Sequence, residues 1–315
     1  MIAVIAFGGN AMLRPEDKGT HLDQLARAEE AARLLEPLLA KGYHLVVVHG
    51  NGPQVGNILI QMEAASNQIP PSPLDVCDAM TEGSMGYLLE LAIHNTFLKA
   101  GRYVRVSTVL TPVAVSGDDP AFRHPTKPVG PFYTMFRAHQ LMKEMGWQMV
   151  EDSGRGWRKV VPSPKPREVM NMDVIRQSLK TQDVIIAGGG GGIPVILEPD
   201  GSWKGTEAVI DKDYTASLIA RELCADLFII LTGVPRVYDH FGTPQERPLD
   251  RINLAKARTM IEEGQFPPGS MGPKIQSAIQ FVEATEREVL ITSAEALTEA
   301  MKGESGTYIV KEIQP

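Results

Sequence analysis

The stretch IAVIAFGGNA, residues 2–11, joins a short apolar strand directly to a glycine turn. The same pattern recurs in LVVVHGNGPQ at residues 45–54 and in VIIAGGGGG at residues 184–192. In open α/β sheets, ligands bind beyond the carboxyl ends of the strands, where glycine turns let backbone N–H groups approach an anion. Three such turns therefore predict a phosphate-binding site at one edge of a sheet.

Strand-like and helix-like segments alternate along the chain. The predicted strands are residues 2–7, 45–48, 105–109, 184–187, 227–231, 289–291 and 308–310, and the predicted helices are residues 24–41, 53–62, 87–100, 214–223 and 274–284. Alternation of this kind predicts an α/β fold with a largely parallel sheet and helices on both faces.

The composition is that of an ordinary globular protein. The 315 residues carry a net charge of −7 and include only two cysteines, Cys77 and Cys224, without metal-ligand spacing. No apolar run approaches the ~20 residues that a membrane span requires, and the first residues lack the pattern of a secretory signal. The sequence offers no broad basic face for nucleic acid. We expect a cytoplasmic protein without membrane or nucleic-acid partners.

The alternating pattern is interrupted between residues 116 and 170. This segment contains many prolines, as in PTKP at residues 125–128 and PSPKP at residues 162–166. A flexible linker would be richer in Gly and Ser, so the composition favours an ordered lid or subdomain that projects from the sheet.

The segment AVIDKDY, residues 208–214, places Lys212 between two carboxylates, just before a predicted helix. In one interpretation Asp213 caps the helix and Lys212 is solvated, since Asp is a preferred capping residue. In the other, Lys212 binds phosphate and a flanking carboxylate orients it. The local sequence leaves both open.

Two further lysines are candidates for anion binding. Lys274 follows GSMGP in the first turn of a predicted helix, where a cation is unfavourable unless an anion outweighs the helix dipole. Lys127 lies between Pro125 and Pro128 in the inserted segment. The prolines restrain the backbone there and so could orient the lysine side chain. The alternative for each is a solvated surface lysine.

The common catalytic and nucleotide motifs are absent. The chain contains no HExxH, Walker A loop or serine nucleophile elbow, and GNGPQVG at residues 50–56 departs from the dinucleotide fingerprint because its third glycine comes one place late. His49 ends a predicted strand, where a hydrogen-bonded structural histidine is the simpler interpretation.

The chain resembles the carbamate kinases of the amino acid kinase family. The resemblance runs from the first strand to the last and rests on AFGGNA, HGNGPQVGN, AMTEGSMGY, DDPAFRHPTKPVGPFY, EDSGRGWRKVVPSPKP, AVIDKDYTA, LTGVPRVY and FPPGSMGPK. It implies a single domain over residues 1–315, a three-layer αβα sandwich around a mostly parallel sheet, a lid at residues 116–170, and a homodimer. Residues 1–180 would form mainly the carbamate and phosphoryl side, and residues 181–315 mainly the nucleotide side.

The resemblance also implies roles for individual residues. The carbamate and the transferred phosphoryl group would be held by backbone and amide donors of Gly8, Gly9, Asn10, Gly50, Asn51 and Gly52. The cationic clamp would be Lys127, Lys212 and Lys274, oriented by Asp211 and Asp213. The nucleotide site would include Gly233, Val234, Tyr238, Met271 and Lys274.

The implied reaction is reversible phosphoryl transfer between ATP and carbamate, which gives ADP and carbamoyl phosphate. Mg²⁺ would accompany the nucleotide, and no protein-ligated metal is expected. Phosphoryl transfer needs positioning and charge stabilisation more than covalent chemistry, and carbamate is already an anion, so the lack of an obvious base agrees with the resemblance.

The sequence departs from the family pattern at two places. Pro235 and Arg236 stand where carbamate kinases commonly carry an acidic residue and a polar or basic one, and Phe7 replaces a usual leucine. Two other functions stay open from the residues: a kinase for another small carboxylate or phosphate, and a nucleotide-binding regulatory protein without turnover.

Overall fold

The computed structural model describes residues 1–8, 14, 17–152, 154–266 and 269–313. The strands are β1 (Ile2–Phe7), β2 (His44–His49), β3 (Val106–Val109), β4 (Pro112–Val115), β5 (Lys127–Tyr133), β6 (Met149–Glu151), β7 (Trp157–Val161), β8 (Pro166–Val169), β9 (Val184–Ala187), β10 (Ile193–Leu197), β11 (Trp203–Gly205), β12 (Leu227–Thr232), β13 (Val237–Asp239), β14 (Arg247–Leu249), β15 (Arg251–Asn253), β16 (Val289–Ser293) and β17 (Thr307–Val310). The helices are α1 (His21–Leu34), α2 (Glu36–Ala40), α3 (Gly52–Ala65), α4 (Leu74–Lys99), α5 (Met135–Met145), α6 (Met172–Ser178), α7 (Lys212–Glu222), α8 (Leu254–Glu262), α9 (Met271–Thr285) and α10 (Leu297–Ala300).

The central sheet has eight strands in the order β15-β17-β16-β12-β1-β2-β9-β3. All neighbours are parallel except β16 and β17, which run antiparallel. The three strands that precede the glycine turns, β1, β2 and β9, are direct neighbours. Because they are parallel, their carboxyl ends share one edge, as the sequence predicts.

The alternation of side chains in β1 divides the core into two layers. Val4 and Ala6 pack with residues of α6 to α9 on one face of the sheet. Ala3, Ile5 and Phe7 pack with α1, α2, α4 and α10 on the other face. This arrangement is the predicted three-layer αβα sandwich, and the family fold is confirmed. Within the described residues, no helix has the length and apolar character needed to cross a membrane.

The segment from 116 to 170 adds structure of its own. β5, β7 and β6 form an antiparallel sheet, and α5 packs against it through Ala138 and Leu141. β8, near the end of the segment, instead pairs with β4 in a second sheet of order β11-β10-β4-β8. A small cluster that includes Val55, Val129 and Val161 joins the base of this segment to α3.

Several helix boundaries differ from the predicted ones. α4 begins at Leu74, although we expected a helix only from Tyr87. Gly86, inside this helix, allows close packing: a Cβ atom there would overlap the side chain of Thr108 on β3. The predicted helix over residues 24–41 is split, because Pro37 lies in the first turn of a new helix, α2.

The helix after the AVIDKDY segment begins at Lys212, two residues earlier than predicted. Its N-cap is Asp211, whose side chain accepts a hydrogen bond from the backbone N–H of Asp213. The interpretation of Asp213 as the capping residue is therefore wrong, and its carboxylate is available for other contacts.

The glycine run after β9 allows an unusually close approach of backbone segments. A Cβ atom on Gly191, whose φ is +107°, would overlap the carbonyl oxygen of Ile210. One on Gly190 would overlap the side-chain amide of Asn51, and one on Gly189 would lie 2.5 Å from Nε2 of His49. The run thus brings the end of β9 against the ends of β2 and the segment before α7.

We expect Gly191→Ala to destabilise the protein far more than Gly201→Ala. Both glycines have positive φ, but Gly201 lies in an exposed turn with nothing within 4 Å of an added Cβ atom. Strain alone should lower the free energy of unfolding by about 1 kcal/mol at Gly201, and strain with backbone overlap by about 3 kcal/mol or more at Gly191. Urea denaturation measures both, and equal losses would contradict the packing argument.

Candidate active site

Two carboxylates at the start of α7 hold the three predicted lysines. Lys127 Nζ on β5 lies 2.9 Å from Asp211 Oδ2. Lys212 Nζ lies 3.1 Å from Asp213 Oδ1, and Lys274 Nζ, on the first turn of α9, lies 2.7 Å from Asp213 Oδ2. Residues up to 147 positions apart in the sequence therefore meet in one cluster.

Ion pairing opposes the effect of burial on the pKa values of Asp211 and Lys212 in this cluster. Burial alone would raise the pKa of Asp211, but Lys127 and Lys212 outweigh it and hold this pKa at about 2. Burial would lower the pKa of Lys212, but Asp213 and Asp211 outweigh it and raise this pKa. For Lys274, burial and the neighbouring Lys212 cation prevail, and its pKa is lowered. Three lysines against two carboxylates leave an excess of positive charge that suits an anion.

The cluster borders a cavity of about 180 Å³ at the carboxyl edge of the sheet. Its lining includes the predicted residues Gly50, Asn51, Gly52, Lys127, Asp211 and Lys212. Asn51 is the N-cap of α3 but makes no side-chain cap, so the first N–H groups of that helix remain available to an anion.

Gly190 and Arg158 are among the lining residues that were not predicted as site residues. Gly190 belongs to the third glycine run, which the sequence did single out. Arg158 on β7 is held by Gly130 O at 3.1 Å and by Asp152 Oδ2 at 3.3 Å. The basic run at residues 155–159 was a usable signal for it.

The first glycine turn is only partly described. Gly8 directly follows β1 and lies close to β12. A Cβ atom on Gly8 would be 3.2 Å from Leu231 O. The predicted residues Gly9 and Asn10 lie outside the described residues. Their proposed role is thus carried by sequence alone.

The predicted nucleotide residues follow β12 and begin α9. Gly233 is exposed, with nothing within 4 Å of an added Cβ atom, and Val234 is half-buried. The Tyr238 ring packs against Phe241, with 5.7 Å between ring centroids, and Met271 packs partly against the core. Among the described residues, Lys274 is the one member of this set that contacts the lysine cluster.

The unusual Arg236 has a structural role in this chain. Its guanidinium donates to Glu304 O at 3.0 Å and pairs with Asp250 at 2.5 Å. These contacts tie the segment after β12 to the loop before β17.

A buried polar layer lies behind the cavity, on the side of α4. Asn51 Nδ2 donates to Asp78 Oδ1 at 3.0 Å and to Thr81 Oγ1 at 2.9 Å. Glu82 Oε2 accepts from the Thr111 N–H at 2.8 Å. Both hydrogens of the Asn51 side-chain amide are engaged, so the expected donation of this amide to an anion does not fit the geometry.

Burial sets the protonation of this layer. It raises the pKa of Asp78 to about 8, against the hydrogen bond from Asn51, and raises that of Glu82 well above its usual range. Burial also lowers the pKa of His49 to about 4, so this ring is neutral at physiological pH. His49 Nδ1 lies 3.2 Å from Gly50 O, which agrees with its interpretation as a structural histidine.

A larger cavity, of about 630 Å³, lies between α3 and the inserted segment at residues 116–170. It is lined in part by Leu59, Phe122, Trp147 and Lys159 and contains none of the three clustered lysines. Size alone would favour it. The smaller cavity is the better candidate because charge, glycine backbone and a helix N-terminus converge there.

The chain is similar to known proteins over nearly its whole length. The sequence pattern of the amino acid kinase family matches residues 1–293. The chain belongs to this family. It is 44% identical over 309 residues to a carbamate kinase of Pyrococcus furiosus, with 98% of each chain covered. It is 46% identical over 312 residues to carbamate kinase 1 of Enterococcus faecium, again with 98% of each covered.

Solved structures of similar proteins superpose on this chain over nearly its whole length. A carbamate kinase of Giardia lamblia bound to AMP-PNP superposes with a TM-score of 0.92 at 41% identity, over 99% of this chain and 98% of that one. A structure from Aeropyrum pernix superposes with a TM-score of 0.94 at 39% identity, over 99% and 100%. The protein is therefore a phosphotransferase of the kinase type, and the alternative of a regulatory protein without turnover loses its basis.

We expect the stability of this kinase to fall as the pH rises from about 5 to about 8. The unfolded chain releases the Asp78 proton near pH 4, whereas the folded protein retains it until its pKa of about 8. In that window the folded state binds more protons, so raising the pH favours unfolding. Asp78→Asn removes this titration while keeping an acceptor for Asn51.

Urea midpoints at pH 5 and pH 8 measure the effect. The decrease should be smaller in Asp78→Asn than in the unaltered protein, since Glu82 titrates in both. An identical decrease in the two proteins would show that the buried Asp78 carboxyl is not protonated in the folded state.

Proposed function

We propose that this kinase catalyses reversible phosphoryl transfer between ATP and carbamate. The observation that carries the proposal is the cluster in which Asp211 and Asp213 hold Lys127, Lys212 and Lys274 beside the glycine-lined cavity. The full-length similarity to carbamate kinases supports carbamate as the acceptor. The AMP-PNP in the Giardia structure supports ATP and ADP as the nucleotides.

In the direction of ATP formation, a terminal oxygen of ADP attacks the phosphorus of carbamoyl phosphate. The new P–O bond forms as the bond to the carbamate oxygen breaks, and carbamate leaves as an anion with that electron pair. No proton has to be removed, which suits a site of cations and N–H donors. The lysines would neutralise charge on the phosphoryl oxygens in the transition state, and Gly8, Gly50 and Gly52 would offer backbone donors.

The two carboxylates are committed to the lysines, so they are poor metal ligands here. Among the described residues no group of three or more His, Cys, Asp or Glu side chains could hold a metal ion. We therefore propose that Mg²⁺ enters with the nucleotide, held by its phosphates, as is common for this ion. It would neutralise phosphate charge beside the lysines.

The remaining proposals concern assembly and organisation. Exposed Val76, Met80 and Tyr87 lie on one face of α4, and we propose that a second copy of the chain covers this face in a homodimer.

We propose that residues 116–170 close over the site as a lid, with residues 1–180 on the carbamate side and residues 181–315 on the nucleotide side. Cys77 and Cys224 are unpaired, which supports a cytoplasmic location.

We expect Lys212→Ala and Lys274→Ala each to reduce kcat by about 10² to 10³, since each removes a preorganised cation from developing charge. Each variant leaves Asp213 with one lysine partner, so folding should suffer less than catalysis. The measurement is ATP formation from ADP and carbamoyl phosphate. Lys204→Ala, at an exposed lysine on β11, is the control, and a kcat near that of the control would refute the clamp.

Lys127→Ala should impair the use of carbamoyl phosphate and leave ADP binding nearly unchanged. The lysine belongs to the lid sheet rather than to the nucleotide side, so we expect lower kcat and higher KM for carbamoyl phosphate. ADP affinity, measured by calorimetry, should stay within about twofold. Lys143→Ala, an exposed lysine on α5, is the matched lid control. Loss of ADP binding, or unchanged kinetics with carbamoyl phosphate, would contradict the role of Lys127.

A further inference from the structure

The side chain of Asn51 occupies a decisive place in the cavity. It is 4% exposed, lines the same space as Lys127 and Lys212, and packs against Gly190. Its amide can present either hydrogens or an oxygen to a ligand, and the choice depends on what holds the other end.

Thr81 fixes that choice. Its hydroxyl donates its single hydrogen to the backbone carbonyl of Asp78, at 2.7 Å. Thr81 Oγ1 can therefore only accept from Asn51, so the Nδ2 group has to face α4. The second Nδ2 hydrogen goes to Asp78 Oδ1. This polarity holds whether or not Asp78 is protonated, because the Thr81 hydroxyl alone requires it.

The Asn51 oxygen is left without a donor. Among the described residues none donates a hydrogen bond to Oδ1, and Asn51 lines the cavity. An acceptor thus stands in a space whose side-chain groups include the cations of Lys127 and Lys212. Phosphoryl oxygens have no hydrogen to offer it, so the complementary ligand group is a donor.

We propose that Asn51 Oδ1 accepts a hydrogen bond from the amino group of carbamate or carbamoyl phosphate, and that Thr81 is the positioning residue that selects this group. This inference rests on the proposed function. An acyl phosphate with a methyl in place of the amino group leaves the oxygen unpaired in a confined site, and sites that recognise a hydrogen-bonding group reject analogues that lack it.

The test compares carbamoyl phosphate with acetyl phosphate as phosphoryl donors to ADP. We expect the unaltered kinase to favour carbamoyl phosphate in kcat/KM by at least about tenfold. Thr81→Val keeps the size of the side chain but removes the acceptor, so the Asn51 amide can turn. The preference should fall by about tenfold, and Thr81→Ser, which keeps the hydroxyl, should retain it.

The ratio of kcat/KM for carbamoyl phosphate to kcat/KM for acetyl phosphate distinguishes a positioning role of Thr81 from damage to the fold. A merely structural role for Thr81 lowers both kcat/KM values together and leaves their ratio unchanged, which would overturn the proposal. If Thr81→Val does not fold, the unaltered kinase still decides, because a ratio near one overturns it as well. Absence of ATP formation from carbamoyl phosphate would instead reject the proposed function itself.

Discussion

The bidentate use of Asp213 is the interaction on which the site depends. This carboxylate is 2% exposed and holds Lys212 with one oxygen and Lys274 with the other. Two ammonium groups so close would repel each other, and burial would add to the cost. Because α7 and α9 each contribute one lysine, the same contact also fixes how these two helices meet at the sheet edge. The contacts that assemble the charge cluster therefore also stabilise the packing of α7 and α9.

Asp211 links the charge cluster to the inserted segment at residues 116–170. Its Oδ1 atom caps α7 and its Oδ2 atom binds Lys127 on β5. A single residue thus ends a loop, starts a helix and joins the inserted sheet to the body of the protein. Since the cap is a local interaction and the ion pair spans 84 positions, the second depends on the first for its geometry.

Much of the fold follows from the sequence alone. β1 and β9 match their predicted bounds, because short apolar runs between glycine turns have few alternatives. α4 was predicted too short, since the close packing of Gly86 against Thr108 is not visible in the local sequence. Helix starts also depend on which of two nearby Asp residues caps, and only the structure distinguishes Asp211 from Asp213.

The site residues also divide into those that the sequence predicted and those that it missed. Lys127, Lys212 and Lys274 were recognisable as candidates from their local sequence, and the resemblance supplied their grouping. Thr81, Asp78 and Glu82 were missed as a set, because they come from a helix whose polar residues are unremarkable until their buried partners are known. Their signal was the run DAMTE at residues 78–82, which places two acids and a hydroxyl at helical spacing on one face.

The two halves of the cavity therefore obey different electrostatic rules. On the α7 side, paired charges survive burial because each has an opposite partner within 3.1 Å. On the α4 side, burial without a cationic partner raises the pKa of Asp78 and Glu82 and so keeps the layer neutral. A fully ionised α4 layer would oppose the binding of an anion. Neutrality there lets polar groups orient a ligand without cancelling the attraction that the lysines provide.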